Sequence, residues 1–290
     1  MGLIIVDGTN LAHRAYYALK NTQHGIPISP KGVPIASCSS VLQSLLTVVQ
    51  EHNASHLAVA FDNAYPTFRH ELYPQYKSGR KEKEDLLVRD IQTLQTLLIE
   101  AGIGIVAPIG YEADDVVATL RKLAPDLPAL IYSNDRDLWQ LIDQTTTVLC
   151  PSKGKITPDG VQKFWGIKAE QVTDYKGLRG DSTDNIPGVR GIGKKLAGEL
   201  LSKYESVEDI YANIGKITGS PYTKLKPNEE IARLSKNLAT LEAAIPLNQT
   251  LDSFALDRFR VREMAGTLAT LGLDRLADRY SSFFCSVELC

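Results

Sequence analysis

Short apolar runs alternate with stretches of helical periodicity over the first half of the chain, and this alternation restricts the possible folds more than any other feature. Four runs rich in valine, isoleucine, leucine and alanine have the length of strands that are buried on both faces. They cover residues 3–6, 57–61, 103–106 and 129–132, with a weaker fifth run at 147–150. Apolar residues at helical spacing occupy 40–50, 85–101 and 113–123. This order predicts an α/β fold in which a mostly parallel sheet has helices on both sides.

The strand pattern stops near residue 165, and the sequence from there to about residue 280 is helical in pattern. Glycine and proline interrupt it at 188–193, and a polar loop is expected around 215–228. The change of pattern predicts two domains, an α/β domain over residues 1–166 and a helical domain over residues 167–290.

Composition excludes several classes of protein. With 43% hydrophobic and 23% charged residues, the 290-residue chain has the composition of a globular protein, and no run approaches the ~18 apolar residues of a membrane span. The N-terminal residues contain no basic segment and are followed directly by an acid, Asp7, so no secretory signal is expected. The four cysteines, at positions 38, 150, 285 and 290, show no paired spacing. A zinc site or a disulfide framework is therefore not expected. The cysteine pattern instead predicts a location in the reducing cytoplasm.

Acidic residues follow the predicted strands. Three of the four clear strands end in or near an acid, and the fourth leads through a short loop into an acidic segment; the residues are Asp7, Asp62, Glu112, Asp114, Asp115, Asp135 and Asp137. Because the carboxyl ends of parallel strands lie along one edge of a sheet, these side chains are expected to converge there.

Each of these acids taken alone is more simply explained as a turn former, a helix cap or a partner of the helix dipole. Carboxylates that pack together repel one another unless a cation lies among them. Mg²⁺ uses few carboxylates per ion, so seven or more acids predict two metal positions. Two ions about 4 Å apart can hold the attacking and leaving oxygens during phosphodiester cleavage. The sequence has no motif for a covalent nucleophile, a zinc protease or a P-loop.

The most specific segment is 176–201. Gly188, Gly191 and Gly193 predict a compact hairpin that opens onto a helix with Lys194 and Lys195 in its first turn. Glycines let a phosphate approach the backbone, and the amides at a helix N-terminus favour an anion. Such a hairpin holds a sugar–phosphate backbone without reading bases.

Seven segments of the sequence carry a resemblance to a known family. They are 6–11, 61–62, 68–71, 76–80, 111–115, 134–138 and the hairpin segment 176–201. Together they resemble the 5′ nucleases, which comprise the 5′–3′ exonuclease domain of bacterial DNA polymerase I, phage 5′ exonucleases and flap endonucleases. The resemblance covers nearly the whole chain and is strongest to the polymerase I domain. The chain stops about where polymerase I would continue, which predicts a stand-alone nuclease, although a truncated chain would have the same sequence.

The resemblance implies a PIN-like α/β nuclease domain, with a helical arch at about 70–84, followed by a helical domain that holds a helix–three-turn–helix (helix-hairpin-helix-like) motif. It implies a structure-specific 5′–3′ exonuclease and 5′-flap endonuclease of DNA replication and repair, which removes RNA primers or flaps. The implied partners are DNA with 5′ flaps or 5′ ends and RNA–DNA hybrids. The family default is a monomer, with no membrane partner.

The resemblance also implies a set of metal ligands. Asp7, Asp62, Glu112 and Asp114 would serve mainly the first metal, and Asp135, Asp137 and Asp184 would serve the second. Asp115 and Asp181 match further family acids that lie behind the direct ligands. The implied cofactor is Mg²⁺ at two positions, with Mn²⁺ as the alternative, and the family's hairpin commonly binds K⁺ through backbone carbonyls.

Basic residues cluster in the predicted arch; they are Arg69, Lys77, Arg80, Lys81 and Lys83. Tyr76 is expected to stack on a base, as aromatic residues do in single-strand binders. The resemblance implies that Lys77 stabilises charge on the scissile phosphate, that Arg80 clamps nearby and that Arg14 contacts a phosphate. A solvated basic loop is the competing interpretation, and it is favoured for the last two lysines of the cluster.

Overall charge leaves the class of partner open. The formal net charge of −2 argues weakly against a nucleic-acid partner, but without the nine acids assigned to the site the remaining charge is +7. Two alternatives to a nuclease follow from the residues. One is a haloacid-dehalogenase-like phosphatase, which would need an aspartate where the chain has Thr9. The other is a catalytically silent DNA-junction-binding protein of the same fold.

Overall fold

The structure is a computed structural model that describes residues 2–63 and 66–287. Cys290 lies outside the described residues, and Cys38 and Cys150 are buried free thiols. The described residues form one six-stranded sheet with the order β3-β2-β1-β4-β5-β6. The strands are β1 (Leu3–Asp7), β2 (His56–Ala60), β3 (Gly104–Val106), β4 (Ala129–Tyr132), β5 (Thr146–Cys150) and β6 (Gly154–Ile156).

Strands β1 to β5 are parallel, and β6 pairs with β5 in the antiparallel direction. The five apolar runs of the sequence are therefore strands, including the weak fifth. Strand β6 was not expected, because Gly154 and Lys155 are exposed and the strand has no apolar pattern. The mostly parallel sheet of the predicted α/β fold is confirmed.

Helices flank the sheet. Within the described residues the α-helices are α1 (Gly8–Lys20), α2 (Ala36–His52), α3 (Phe68–Leu72), α4 (Asp85–Glu100), α5 (Ala113–Leu123), α6 (Pro158–Trp165), α7 (Val172–Arg179), α8 (Lys194–Lys203), α9 (Val207–Ala212), α10 (Gly219–Leu225), α11 (Glu229–Ala239), α12 (Val261–Thr270) and α13 (Asp274–Val287). None of the helices in the described part of the chain combines the length and apolarity that a bilayer crossing requires.

The central strand β1 contributes to two apolar layers, because successive side chains of a strand point to opposite faces. Leu3 and Ile5 pack in the same core as Val116 of α5, and this core continues into the helical unit α7–α11. Ile4 and Val6 pack on the other face, with α1, α2 and α4. The prediction of helices on both sides of the sheet is confirmed.

The two helices at the carboxyl end, α12 and α13, pack in a different core from the one that the predicted domain division implies. Met264 and Leu268 of α12 and Tyr280 of α13 are buried in the core that covers α2 and α4. The Tyr280 hydroxyl donates a hydrogen bond to the carbonyl oxygen of Leu42, at 2.6 Å. These helices therefore belong spatially with the sheet, whereas the sequence pattern assigns them to a helical domain over 167–290. Their helical periodicity carries no information about which core they join.

The segment predicted as a helical arch, 70–84, is helical only at its start. Helix α3 ends at Leu72, and turns and extended chain follow. Pro74 removes a backbone donor, and Lys77 has a positive φ of 55°, which a right-handed helix does not contain. The Lys77 amide donates instead to the carbonyl oxygen of Asp184, at 2.9 Å, so this segment is docked on a turn of the helical unit.

Candidate active site

Acidic side chains meet at the carboxyl edge of the sheet. Asp7 ends β1 and accepts hydrogen bonds from the amide of Asn10, at 3.0 Å, and from the hydroxyl of Ser133, at 2.7 Å. Ser133 directly follows β4, so these contacts join two neighbouring strands. Asp62, just beyond β2, accepts from the amide of Ala113 at the start of α5, at 2.9 Å. The ends of β1, β2 and β4 and the N-terminus of α5 therefore border one site.

Three acids form the centre of this site. Carboxylate oxygens of Asp114, Asp135 and Asp137 lie within 4.8 Å of one another. Burial raises the pKa of Asp137 to about 7, and the charge of Asp135 adds to the effect of burial. Burial, and then the charges of Asp135 and Asp7, raise the pKa of Asp114 well above its usual range. Carboxylates that are held this close resist ionisation unless a cation is present.

Asp7 belongs to the same electrostatic group. Its side chain is buried, and burial raises its pKa to about 7, with smaller contributions from the charges of Asp135 and Asp62. Asp62 behaves differently. Burial raises its pKa, but Lys83, 3.4 Å away, and the Ala113 amide outweigh burial, so the pKa is lowered.

Two basic residues of the segment 73–84 neutralise acids at the rim. The Nζ of Lys77 lies 2.6 Å from an oxygen of Glu112 and 3.7 Å from an oxygen of Asp184. Arg80 pairs with the other oxygen of Asp184. Burial lowers the pKa of Lys77, but the charges of Glu112 and Asp184 outweigh it and raise the pKa above its usual value.

A buried lysine that the sequence pattern did not single out neutralises two more acids. Lys176 of α7 pairs with Asp137 and lies 2.8 Å from Asp181, and its side chain is 5% exposed. Burial lowers the pKa of Lys176, but Asp137 and Asp181 outweigh it and raise the pKa. The sequence offered one signal for its burial, because the lysine lies on a helix beside Val172 and Tyr175, which are apolar.

The remaining acids have no cationic partner. Asp7, Asp114 and Asp135 make no ion pair with any residue of the described ranges 2–63 and 66–287. The donors of this group are hard carboxylate oxygens, which is the ligand type of Mg²⁺ and Mn²⁺. The residues therefore fit a divalent cation. Asp114 groups with Asp135 and Asp137, and the charge of Asp7 also acts on it, so the division of these ligands between two metals stays a prediction.

Arg69, which was expected among the basic residues that face DNA, is enclosed together with Asp115. Arg69 is 1% exposed, and its guanidinium donates to both oxygens of Asp115 at 2.7 Å. It also donates to the carbonyl oxygens of Leu238 and Thr240, each at 2.9 Å. Asp115 accepts in addition from the Glu242 amide. The pair is enclosed and fully bonded, so in this structure Arg69 has no surface for DNA and Asp115 none for a metal.

Tyr76 is also enclosed. It is 3% exposed, and its hydroxyl donates to Glu112 at 3.1 Å and lies 3.4 Å from an oxygen of Asp184. The ring of His70 meets it edge-on, with centroids 5.4 Å apart. The expectation that Tyr76 stacks on a base is therefore not met in this structure, because the ring has no free face.

The predicted glycine hairpin precedes α8 as expected, but its glycines differ in role. Gly188 is buried with a φ of +61°, and a Cβ there would lie 2.2 Å from the Gly180 backbone nitrogen. Its amide donates to the Ser235 hydroxyl at 2.9 Å. Gly188 thus serves close backbone packing, and its amide is not available to a phosphate. Gly191 and Gly193 are exposed.

The cations expected to contact phosphates at the surface are exposed. Lys194 and Lys195 form the first turn of α8, and the Lys195 side chain is 93% exposed. Arg14 is exposed and donates to the Asn134 side-chain oxygen at 3.3 Å, next to Asp135.

An open cavity of about 570 Å³ joins the acidic cluster to α8. Its lining includes Asp135, Asp137, Asp184, Arg80 and Lys194. The phosphatase alternative is not supported, because position 9 holds a threonine whose hydroxyl accepts from the Asp62 amide at 2.8 Å.

Known proteins show the same organisation. Residues 2–166 match the model of the 5′-3′ exonuclease N-terminal resolvase-like domain, and residues 167–262 match that of the 5′-3′ exonuclease C-terminal SAM fold. DNA polymerase I of Synechocystis sp. is 34% identical over 97% of this chain and 30% of its own length. The chain spans about a third of the length of the curated polymerases that it matches.

Solved structures share the fold. A bacteriophage T5 5′-exonuclease with bound zinc ions superposes with a TM-score of 0.69, at 22% identity, over 98% of both chains. A T5 flap endonuclease in complex with DNA and metal ions gives the same TM-score, identity and coverage. By the two domain models and the polymerase relative, this chain belongs to the 5′-3′ exonuclease family.

Proposed function

We propose that the chain is a structure-specific 5′–3′ exonuclease and 5′-flap endonuclease that hydrolyses DNA phosphodiesters during replication and repair. The observation that carries the proposal is the cluster of Asp114, Asp135 and Asp137, whose carboxylate oxygens lie within 4.8 Å of one another. Through Asp135 and Asp137 the cluster borders an open cavity that reaches Lys194 at the basic start of α8. Packed acids without a counter-ion destabilise a fold, so the arrangement favours a site that binds divalent cations.

Mg²⁺ at two positions is the proposed cofactor, with Mn²⁺ as its substitute. The two ions would be held at the centre of the site by Asp7, Asp114, Asp135 and Asp137. The acids at the rim would contribute further ligands; these are Asp62, Glu112 and Asp184. Bound there, the ions would supply an activated water and stabilise negative charge on the phosphate oxygens.

Lys77 and Arg80 are proposed as the catalytic cations. Both charged groups lie at the rim of the acidic cluster, and the Arg80 side chain is 48% exposed. A phosphate placed against the cluster would receive hydrogen bonds from these groups, which would stabilise the charge that develops on it. Their present partners, Glu112 and Asp184, hold them at the rim, where such a phosphate would lie.

Lys194 and Lys195 are proposed to hold a duplex backbone, and Arg14 a phosphate near Asp135. The amides at the start of α8 add to this, since Gly193 offers no side-chain cap. A K⁺ ion bound by hairpin carbonyls would strengthen the same contact. The proposed substrates are 5′ flaps and 5′ ends of DNA and of RNA–DNA hybrids, and the protein would act as a monomer.

The test is the incubation of a 5′-labelled flap duplex with the protein in Mg²⁺, Mn²⁺ and EDTA, with DNA and RNA flaps in parallel. We expect cleavage only with metal. Asp135→Ala and Asp137→Ala should abolish turnover and leave DNA binding largely intact. Asp126→Ala, an exposed acid at the opposite edge of the sheet, is the matched control and should cleave normally.

Two results would contradict the proposal. Near-normal cleavage by both Asp135→Ala and Asp137→Ala would remove the metal assignment. Tight binding of the flap duplex by the wild-type chain without cleavage in any metal would favour the silent DNA-junction binder instead.

A further inference from the structure

Phe164 is a large aromatic residue that is exposed at the rim of the cavity. It lies near the end of α6, its side chain is 40% exposed, and it lines the cavity together with Arg136 and Lys194. Sequence motifs gave no reason to expect a functional residue here.

Three cations gather at this ring. The guanidinium carbon of Arg136 lies 4.7 Å from the Phe164 centroid, and the ammonium groups of Lys153 and Lys194 lie 4.6 Å and 5.7 Å from it. The three residues come from the loop after β4, the turn before β6 and the start of α8. The Lys194 ammonium also donates to the Phe164 carbonyl oxygen at 3.2 Å.

These cations lack acidic partners. Across the described residues, neither Arg136 nor Lys153 nor Lys194 makes an ion pair. Their distances to one ring place each pair of charges about 10 Å or less apart, within roughly one Debye length at 0.1 M salt. Like charges at this range repel, so the group is suited to an anion.

Buried aromatic residues hold the ring in place. Trp139, which is 1% exposed, meets Phe164 edge-on with centroids 5.4 Å apart. Trp165 packs on Trp139 at 4.9 Å and stacks on Tyr175 at 5.4 Å. Phe164 therefore rests on a fixed aromatic layer, which limits the entropy lost when a ligand binds.

We propose that Arg136, Lys153 and Lys194 around Phe164 form a nucleotide-binding site for the DNA strand that runs between the acidic cluster and α8. The cations would hold a backbone phosphate, and the exposed ring would support the adjoining sugar or base, as in single-strand binders. The inference rests on the proposed function, because it names a substrate contact of the same cavity.

Lysines on one hairpin provide a matched test of the phosphate contact. Lys153 faces Phe164, whereas Lys155, two residues later and also exposed, lines a separate cavity at the opposite edge of the sheet. The binding constant for a fluorescent 5′-flap duplex would be measured in EDTA over a series of KCl concentrations. Lys153→Ala should weaken binding and lower the slope of log K against log salt by about 0.9, and Lys155→Ala should leave the slope unchanged.

Variants of the ring test the second part. Phe164→Ala and Phe164→Leu should each weaken binding by about fivefold or more, with an unchanged salt slope. The leucine variant keeps an apolar contact with Trp139, so its thermal melting should match the wild type. Leu123→Ala, at an exposed position of similar accessibility on α5, is the control and should bind normally.

The outcomes separate this inference from the proposed function. If the wild-type chain binds and cleaves the flap duplex while the Lys153 and Phe164 variants behave like their controls, the inference is overturned and the nuclease proposal stands. If the wild-type chain neither binds nor cleaves it, both are overturned.

Discussion

Replacing Arg69 with methionine should lower the free energy of unfolding by about 3–5 kcal/mol, the range for removing one partner of a buried ion pair. Arg69 is 1% exposed and Asp115 is fully buried, and their bidentate contact is 2.7 Å at both oxygens. The change leaves a buried carboxylate without its cation and also removes donors from the carbonyls of Leu238 and Thr240. The upper part of the range is therefore expected.

Urea denaturation followed by circular dichroism measures this change. The double variant Arg69→Met, Asp115→Asn should recover about half of the loss, because a neutral amide needs no cation and still accepts from backbone amides. Arg233→Met is the control. This arginine is 44% exposed and pairs with two exposed acids, Glu229 one helical turn away and Glu208 of α9, so its loss should be below about 1 kcal/mol.

The reasoning would be refuted by the opposite pattern. If Arg69→Met changes the unfolding free energy by less than about 1 kcal/mol and lowers the salt slope of DNA binding by about one, Arg69 is a DNA contact, as the sequence first indicated.

Three further predictions follow from the site. The pKa of Asp7 and of Asp137 is about 7 in the folded protein, above the value in the unfolded chain. Their stabilising contribution is therefore complete below about pH 4 and is lost as pH rises through 7. Thermal melts in EDTA should show a lower Tm at pH 8 than at pH 5.5, and Mg²⁺ should raise Tm mainly at pH 8. Gly188→Ala should destabilise the protein by several kcal/mol in urea, on the order of a strained backbone plus a clash, because its φ is +61° and a new methyl would lie 2.2 Å from a backbone nitrogen; a loss below about 1 kcal/mol would contradict this. Lys194→Ala with Lys195→Ala should weaken duplex binding and lower its salt slope by about two, and an unchanged slope would mean that the start of α8 does not touch DNA.

The sheet and its acidic edge were predictable from local pattern. Strands β1, β2 and β4 were predictable because a strand that is buried on both faces is apolar at nearly every position, which gives a run of consecutive apolar residues. Asp7 and Asp62 were expected to meet because parallel strands end on one edge, a rule that holds for any such sheet. The helix α5 matched the predicted range 113–123 because its apolar spacing is regular.

Other features of the structure are predicted weakly by the sequence pattern or not at all. Strand β6 is short and exposed, so its residues show no apolar pattern. The aromatic residue Phe164 and the lysine Lys176 acquire their surroundings from segments that are distant along the chain. Helices α12 and α13 were visible as helices, but their periodicity does not say which core receives them.

Two features follow from local sequence pattern, the acids at one edge of an α/β sheet and the glycine hairpin before a basic helix, because periodicity and strand direction are properties of neighbouring residues. Which charges are paired depends instead on the folded arrangement of the chain. Arg69 is enclosed by partners at positions 115, 238 and 240, and Tyr76 by Glu112 and Asp184, so neither faces solvent. Burial and ion pairing depend on contacts between remote segments, and a charged residue has the same letter in the sequence whether it meets DNA or a carboxylate inside the protein.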